Sequence, residues 1–469
     1  MKKYIIILFA TLIAGTSCTD WLDVKPRGYD IPTTIGQYEG MLYGMELYFM
    51  DEVFEYMSFE FTSDADGYKN AWSAMGRAKC NAYKWQKDVF LPDENCGEWN
   101  VPTSFLYPLN VIIADVMNAE GATEEKKAAI RAEARMMRAW HHFLMAQFFA
   151  PPYNSAIASS SKCIPIITTA STVGAEFPLK TMEEVYDFIL TEMEESVELL
   201  PEEAEHHLRV FKATGYAMLG KVLWTMGHYQ EALPYLETAF TSAKAQGATL
   251  LDYNARIKED GTIDLPSDRT EHPEYLYLMA TMSRLMPAVY ITYYNQAIFP
   301  IKEEVLFNYY KKNDTRLAFL SGVKSEKTAY ASFKPGDQYA ANIYGMVSNV
   351  GIGVPDLYLM YAECLARQKR ESEASEVLVQ LRRNRMAAAD ADNIEADLLT
   401  AIISERIREF IGFGNLWFDM RRLWNDSDFQ YLKDYYTHTD GETTYTLTED
   451  RLYLEIPPII LSWHPEYNN

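Results

Sequence analysis

The 469-residue chain lacks a surplus of basic residues. Lys and Arg number 43 against 66 Asp and Glu, which gives a formal net charge of −23 at pH 7. A surface of this sign repels phosphate backbones and argues against a nucleic-acid partner. Hydrophobic residues make up 48% and charged residues 23% of the chain. These proportions are typical of a folded globular protein and not of a disordered acidic tail.

Long hydrophobic runs are also absent, since no segment approaches the roughly 20 residues that cross a bilayer. The apolar run at 4–14 follows two lysines and precedes small residues and Cys18. This order is typical of a secretory signal. Small residues directly before Cys18 resemble a bacterial lipoprotein signal, in which the cysteine becomes the acylated N-terminus. Removal of 1–17 takes away two lysines and shifts the net charge from −23 to −25.

Cysteine is scarce, with five residues in the whole chain. If Cys18 carries the lipid, four remain. Export permits disulfides, and Cys80 with Cys96 would close a short loop, but a chain of this length does not depend on such a crosslink. The pairing therefore stays open. No C-x-x-C pair occurs, so zinc-ribbon and thioredoxin-type functions have no support.

The chain also lacks the short catalytic motifs H-E-x-x-H, G-x-S-x-G and the Walker loop. Adjacent histidines such as His141 and His142 point to different faces of a helix and make poor joint metal ligands. Asp64, Asp66 and Gly67 resemble the start of a calcium loop, but the third acidic position and the closing Glu are missing. We expect a hydrogen-bonded loop there, no metal and no cofactor. The abundant acids leave a glycosidase-like carboxylate pair open.

Helical periodicity dominates the remainder of the sequence. A helix is predicted over 131–149, and Thr181 with Glu184 forms a capping box that starts another. The clearest repeat is a helix pair over 212–240, in which small residues allow close approach as in tetratricopeptide units. A second copy begins at Tyr358. Segments 131–200 and 395–424 add two degenerate pairs, which predicts a solenoid of about four units.

The segments between these pairs do not read as regular helix. A polar lead at 18–40 fits a tether from the lipid to a single body at 41–469. Within that body, the helix-pair scaffold is expected at about 41–50, 109–247 and 355–424, and the insertions at about 51–108, 248–354 and 425–469. The stretches 288–294 and 305–310 have a β-type composition. Aromatic residues make up 14% of the chain, led by 33 Tyr, and we expect most of them to pack helix pairs.

Several blocks occur in the order found in one family. They are 17–26 (SCTDWLDVKP), 81–85 (NAYKW) with Trp99 and Asn100, 131–140 (RAEARMMRAW), 356–366 (DLYLMYAECLA), 405–423 (ERIREFIGFGNLWFDMRRL) and the close from Leu454 to Pro465. Together they resemble the SusD/RagB-type lipoproteins of Bacteroidetes over nearly the whole chain. Asn415 and Leu416 depart from the family pattern, in which His or Arg often precedes the tryptophan. We expect packing or capping variations there.

The resemblance implies a mainly α fold, a tetratricopeptide-like scaffold with irregular, partly β insertions that form the ligand face. It also implies a non-catalytic lipoprotein of the outer membrane, attached through Cys18 and facing the extracellular side. Such a protein captures a glycan and passes it to a SusC-like TonB-dependent transporter.

Sugar rings need flat aromatic platforms flanked by hydrogen-bonding side chains, and two insertions offer that mixture. The glycan-binding candidates are Asp64, Asp66, Tyr68, Asn70, Trp72, Arg77, Arg284, Tyr290, Tyr293, Tyr294, Asn295 and Gln296. Trp72 and Tyr294 are expected to stack on sugar, whereas Trp85 and Trp99 are expected to be structural. Two other functions stay open: a repeat scaffold that binds peptide or protein cargo, and a secreted glycoside hydrolase.

Overall fold

A computed structural model shows a mainly helical protein in which short strand pairs join the helices. The structure describes residues 32–44, 53–69, 76–170, 176–203, 206–266, 272–279, 299–323, 327–341, 349–394 and 397–468. Cys18, the tether up to residue 31 and the stretch 288–294 lie outside these residues.

The helices alternate between long scaffold helices and short ones in the insertions. In chain order they are α1 Ile35–Tyr43, α2 Arg77–Tyr83, α3 Gly97–Asp115, α4 Glu124–Phe149, α5 Met182–Val197, α6 Lys212–Thr225, α7 Tyr229–Ala245, α8 Glu303–Tyr309, α9 Ala329–Ser332, α10 Val354–Arg367, α11 Glu371–Arg382, α12 Ala388–Ala391, α13 Leu398–Phe410, α14 Leu416–Leu423 and α15 Pro458–Trp463.

The strands form small antiparallel pairs. They are β1 Lys162–Pro165 with β2 Leu179–Thr181, β3 Tyr275–Tyr277 with β6 Ile352–Gly353, β4 Leu320–Gly322 with β5 Tyr339–Ala341, and β7 Thr437–Thr439 with β8 Thr444–Thr446. In the last pair His438 lies opposite Tyr445.

The predicted repeat over 212–240 is confirmed as the antiparallel pair α6 and α7. A Cβ added to Gly220 would lie 2.5 Å from Cδ2 of Leu236, so glycine is what lets the two helices approach this closely. Gly227 has a φ of 80°, which an L side chain rarely adopts, and makes the turn between them. Phe240 of α7 then packs on Tyr358 and Tyr361 of α10, with ring centroids 4.7 and 5.0 Å away.

The other predicted pairs are helical as well, namely α4 with α5, α10 with α11, and α13 with α14. The capping box of Thr181 and Glu184 is present at the start of α5. Helix α4 begins at Glu124, earlier than predicted, because Thr123 caps a polar first turn that has no apolar periodicity. Arg135 joins α4 to α5 through a 2.8 Å ion pair with Glu192.

One secondary-structure prediction is wrong. The stretch 305–310, whose composition is β-type, lies mostly in helix α8, Glu303–Tyr309. A short apolar run fits a buried strand and a buried helix equally well. Glu303 and Glu304 in the first turn favour the helix because carboxylates stabilise its N-terminus.

A second expectation concerns the boundary between insertion and scaffold. Helix α3, Gly97–Asp115, crosses the boundary expected near 108.

The cysteines at 80, 96, 163 and 364 are buried free thiols, so the possible bridge between Cys80 and Cys96 is not formed.

Buried ion pairs fasten the 248–354 insertion to the C-terminal helices. Arg385, which is fully buried, contacts Glu274 of the insertion at 2.6 Å and Glu409 of α13 at 2.8 Å. Arg316 of the insertion reaches the same Glu409 at 2.9 Å. These contacts hold the insertion in one position relative to the scaffold, because breaking any of them would leave a buried charge without its partner.

Candidate functional site

The two insertions that carry the predicted glycan residues meet at their flanks. Phe61 and Ile301 form an antiparallel bridge, and the backbone amide of Thr62 donates to the carbonyl of Pro300 at 2.9 Å. Phe299 stacks on Tyr83 with ring centroids 4.3 Å apart. The beginning of the first candidate block and the end of the second are therefore neighbours in space.

Four of the predicted residues are described by the structure. Asp64 and Asp66 are exposed, while Tyr68 and Arg77 are half-buried. The other candidates lie outside the described residues: Asn70, Trp72, Arg284, Tyr290, Tyr293, Tyr294, Asn295 and Gln296.

Asp64 begins a helical turn. Its Oδ1 accepts a hydrogen bond from the backbone amide of Gly67 at 2.7 Å, and its carbonyl accepts one from Tyr68 at 2.8 Å. This arrangement is the hydrogen-bonded loop that the sequence favoured over a calcium site. Among the residues that the structure describes, no group of three or more His, Cys, Asp or Glu side chains could hold a metal ion.

Tyr68 belongs to a cluster that also contains Lys84, Asp440 and Tyr445, here called the tyrosine–lysine cluster. Lys84 Nζ lies 2.8 Å from Asp440 Oδ2. The same ammonium lies 4.2 Å from the ring centroid of Tyr68 and 4.9 Å from that of Tyr445. The Tyr445 hydroxyl donates to Asp440 Oδ2 at 2.8 Å. A cation between two aromatic rings and a carboxylate is held in a single position.

The turn between β7 and β8 places Asp440. Its Oδ1 accepts hydrogen bonds from the backbone amides of Glu442 and Thr443 at 3.1 and 2.8 Å, which leaves Oδ2 for Lys84 and Tyr445. Gly441 follows with a φ of 87°. A Cβ there would lie 2.2 Å from the backbone nitrogen of Ala65, so glycine lets the turn pack on the start of the first candidate block.

The electrostatics of the cluster favour its charged forms. Burial alone would raise the pKa of Asp440, but its hydrogen bonds, above all that from Lys84, hold the pKa well below its usual range. Burial would likewise lower the pKa of Lys84, and its contacts with Asp440, Tyr445 and Tyr68 raise it instead. Burial raises the pKa of the Tyr68 hydroxyl to about 12. The cluster therefore presents a fixed cation and anion at neutral pH.

An aromatic stack lies beneath the cluster. The imidazole of His438 is sandwiched between Tyr83 and Trp85, with centroids 4.3 and 4.0 Å away. Trp85 Nε1 donates to the carbonyl of Met57 at 2.9 Å. Trp85 and Trp99 are 4% and 5% exposed, which agrees with the structural role expected for them.

The sequence predictions missed Lys84, Asp440 and Tyr445. Lys84 lies inside the 81–85 block and Asp440 in the polar tail, but no local pattern links two positions so far apart. The paired histidines His141 and His142 are buried, and burial lowers their pKa values to about 3 and 4. His142 accepts from the backbone amide of Ile167 at 3.0 Å, a structural contact.

Comparison with known proteins gives two family matches. Residues 20–223 match a SusD-like model described as "Starch-binding associating with outer membrane", and residues 354–457 match a model described as "SusD family". No curated protein matches significantly.

Several solved structures share the fold. A SusD superfamily protein from Bacteroides thetaiotaomicron is 17% identical, with a TM-score of 0.66 over 93% of this chain and 99% of that one. A putative sugar binding protein from Bacteroides vulgatus is 20% identical, with a TM-score of 0.65 over 94% and 98%. A SusD superfamily protein from Bacteroides vulgatus is 18% identical, with a TM-score of 0.68 over 93% and 98%. At these identities the likeness shows the fold alone.

Proposed function

This chain belongs to the SusD/RagB family, and from that premise we propose that it is a cell-surface lipoprotein that captures oligo- or polysaccharide. The observation that carries the proposal is the tyrosine–lysine cluster, in which the first insertion meets the β7–β8 turn. Its partly exposed tyrosine rings offer apolar faces to sugar C–H groups, and the ion pair of Lys84 with Asp440 holds these rings in position. The exposed carboxylates of Asp64 and Asp66 stand beside them.

The remaining candidate residues extend this face in the proposal. Asn70, Trp72 and Arg77 follow the exposed aspartates in the chain. The block from Arg284 through Tyr290, Tyr293 and Tyr294 to Asn295 ends four residues before Phe299, which stacks on Tyr83. Trp72 and Tyr294 are proposed to stack on sugar rings, as flat side chains do in sites of this kind.

We propose binding without catalysis. Glycoside hydrolysis uses a carboxylate pair in which one acid has a raised pKa and reaches the sugar. In the cluster the pKa of Asp440 is lowered instead, and its carboxylate is committed to Lys84 and Tyr445. Burial raises the pKa of Glu60 to about 7, but that side chain is fully buried and out of reach of a polysaccharide.

Membrane attachment is proposed through an acylated Cys18 at the outer face of the outer membrane, with delivery of the glycan to a SusC-like TonB-dependent transporter. Over the described part of the chain, no helix is both long and apolar enough to cross a membrane. The formal charge of −23 disfavours attraction to anionic headgroups, which leaves attachment to the lipid.

The test is a panel of soluble polysaccharides, including pullulan, laminarin, arabinoxylan, levan and mannan, in affinity electrophoresis. We expect at least one to retard the protein, and Tyr445→Ala and Tyr68→Ala to weaken its affinity about fivefold or more. Tyr107→Ala is the matched control, because Tyr107 is 50% exposed on α3. If Trp72→Ala and Tyr294→Ala both bind the glycan as tightly as the wild type, the proposal that these two side chains stack on sugar is wrong.

The same panel separates the rival functions. Binding of casein peptides with no retardation by any glycan would favour peptide cargo. New reducing ends after incubation with a bound glycan would indicate a hydrolase and would contradict the proposal of binding alone.

A further inference from the structure

A groove lies on the scaffold between helices α5, α6 and α7. It has a volume of about 490 Å³ and is open to solvent. Its aromatic side chains are Tyr216 of α6 and Tyr235 of α7, and Leu223 lies between the two in the chain. Of the described residues that line the groove, none is Lys or Arg. The groove shares no residue with the tyrosine–lysine cluster, so its occupant is a separate question from glycan capture.

Two tyrosine rings give the groove an aromatic surface. Tyr216 and Tyr235 are half-buried, with ring centroids 6.3 Å apart and ring planes inclined at 27°. The Tyr216 hydroxyl donates to Oε1 of Glu198, and the Tyr235 hydroxyl lies 3.5 Å from Oε1 of Glu194. Each hydroxyl is thus directed to a carboxylate. The faces of such rings attract cations, and those of Arg and Lys side chains above all.

Exposed carboxylates border the same rings from two helices. Glu194 belongs to α5 and Glu231 to α7, and both side chains line the groove and are exposed. Burial, followed by the negative charges of Glu194 and Glu231, raises the pKa of the Tyr235 hydroxyl. The charges of both carboxylates therefore act on one ring.

The basic side chains nearby do not balance these acids. Lys212 Nζ lies 2.6 Å from Oε1 of Glu202, and His228 Nδ1 lies 3.6 Å from Oε1 of Glu231. Even with His228 protonated, these two cations stand against the four carboxylates of Glu194, Glu198, Glu202 and Glu231. At least two negative charges are left over at the groove.

The chemistry of the groove selects its occupant. An anion would be repelled, and a neutral ligand would make no use of the surplus negative charge. A guanidinium or ammonium group suits both features, because it lies on the face of a tyrosine and donates to a carboxylate. The volume is that of a drug-sized ligand and exceeds what one such group fills, so a segment with several side chains fits better than a single ion.

We propose that this groove docks an extended segment of a partner protein that carries arginine or lysine, with one cation on the face of Tyr235 between Glu194 and Glu231. The scaffold would then hold a protein while the insertions hold the glycan, which goes beyond the proposed function and does not depend on it. A free polyamine and a cationic sugar chain are the other occupants that the test separates.

The experiment measures the fluorescence anisotropy of a fluorescein-labelled peptide, Gly-Arg-Ala-Arg-Ala-Arg-Gly, upon addition of the full mature chain. About 150 mM NaCl screens long-range attraction to the acidic protein. The same peptide with citrulline in place of each arginine keeps the shape and lacks the charge. We expect the arginine peptide to bind, and the citrulline peptide to bind about tenfold more weakly or not at all.

Variants of matched charge separate the groove from the general acidity of the protein. The double variant Glu194→Gln with Glu231→Gln should weaken the arginine peptide about tenfold. Tyr235→Leu leaves the net charge unchanged and should weaken it about threefold. The control is Glu259→Gln with Glu449→Gln, at exposed positions outside the groove. It makes the same change in net charge and should stay within about twofold of the wild type.

The proposal fails if the citrulline peptide binds as tightly as the arginine peptide, or if the control pair weakens binding as much as the groove pair. Wild-type affinity in Tyr235→Leu also rejects it. Displacement of the labelled peptide by spermidine or by a glucosamine trimer, at lower concentrations than the unlabelled peptide needs, assigns the groove to one of those occupants instead. Glu194 and Glu231 are exposed, so their glutamine variants should unfold thermally as the wild type does. Retardation of the groove pair by polysaccharides should match that of the wild type, which keeps failure of the groove distinct from failure of glycan capture.

Discussion

Lys84 and Asp440 form an ion pair of 2.8 Å although one lies in the first insertion and the other near the end of the chain. Their side chains are 18% and 13% exposed, so water screens the pair only in part. The contact fastens the β7–β8 turn to the block that carries Asp64 and Tyr68. It thereby assembles the proposed glycan face from segments that are remote in sequence.

Removal of the Lys84 charge tests this pair. Lys84→Met keeps the aliphatic stem but leaves the carboxylate of Asp440 without its cation, and we expect the free energy of unfolding to fall by about 1–2 kcal/mol. Lys87→Met is the matched control, because Lys87 contacts Glu455 at 3.4 Å with both side chains more than half exposed. Its effect should be below about 0.5 kcal/mol. Equal losses in the two variants, measured by urea unfolding, would show that the cluster is not specially stabilised.

Glu60 predicts a pH dependence. Burial, partly offset by hydrogen bonds and Lys302, raises its pKa from 4.5 to about 7. The folded state therefore holds the proton more tightly than the unfolded state does. This contribution to stability is fully present below about pH 4.5 and is lost as the pH rises through about 7.

Glu60→Gln should remove that dependence. The free energy of unfolding of the wild type, relative to this variant, should fall by up to about 3 kcal/mol between pH 4.5 and pH 8. Glu449→Gln, at an exposed position, should run parallel to the wild type over the same range. A constant difference between Glu60→Gln and the wild type in urea unfolding at four pH values would contradict the assignment.

The close approach of α6 and α7 is tested by Gly220→Ala. The added methyl group would lie 2.5 Å from Cδ2 of Leu236. We expect a loss of about 1–3 kcal/mol, since packed helices must move apart or Leu236 must leave its rotamer. Gly40→Ala in α1 meets nothing within 4 Å and should raise stability by up to about 1 kcal/mol through helix propensity. A neutral Gly220→Ala in thermal unfolding would rule out the steric explanation.

The buried ion pairs are tested with two arginines close together in the chain. Arg385→Met leaves the buried carboxylate of Glu274 without its cation and removes one of the two arginines that contact Glu409, and we expect about 3–5 kcal/mol of destabilisation. Arg383→Met removes a pair with Asp392 in which both side chains are about half exposed, and should cost less than about 1 kcal/mol. Chemical unfolding of both variants gives the comparison, and similar values would mean that the buried pairs contribute no more than surface ones.

Local patterns predicted the scaffold because the packing of a helix pair depends on residues that lie at short, fixed spacings in the chain. Gly220 and Gly227 stand at offsets at which only a small or flexible residue lets two helices meet, and the structure places them there. The capping box at Thr181 involves residues within one helical turn and could therefore also be predicted from the sequence. The β prediction for 305–310 was wrong because a short apolar run is compatible with both strand and helix. The acidic residues that precede it favoured the helix.

The candidate site was only partly predictable. Composition marked the insertion that holds Asp64, Asp66 and Tyr68, but the partners of Tyr68 come from Lys84 and from the turn after β7. Asn415 was visible as a departure from the family pattern, and nothing in the sequence told that its Oδ1 is buried without a hydrogen-bond partner.

Composition and short-range patterns specify the helix pairs, the caps and turns and the acidic character, and they predict an export signal that ends before Cys18. Each of these depends on residues within a few positions of one another or on composition. The pairing of Lys84 with Asp440, the buried contacts of Arg385 and the raised pKa of Glu60 arise only in the tertiary structure. Those depend on which distant segments share an interior where water cannot satisfy them, and the energy of a charge or a polar group is set by that environment and not by its neighbours in the chain.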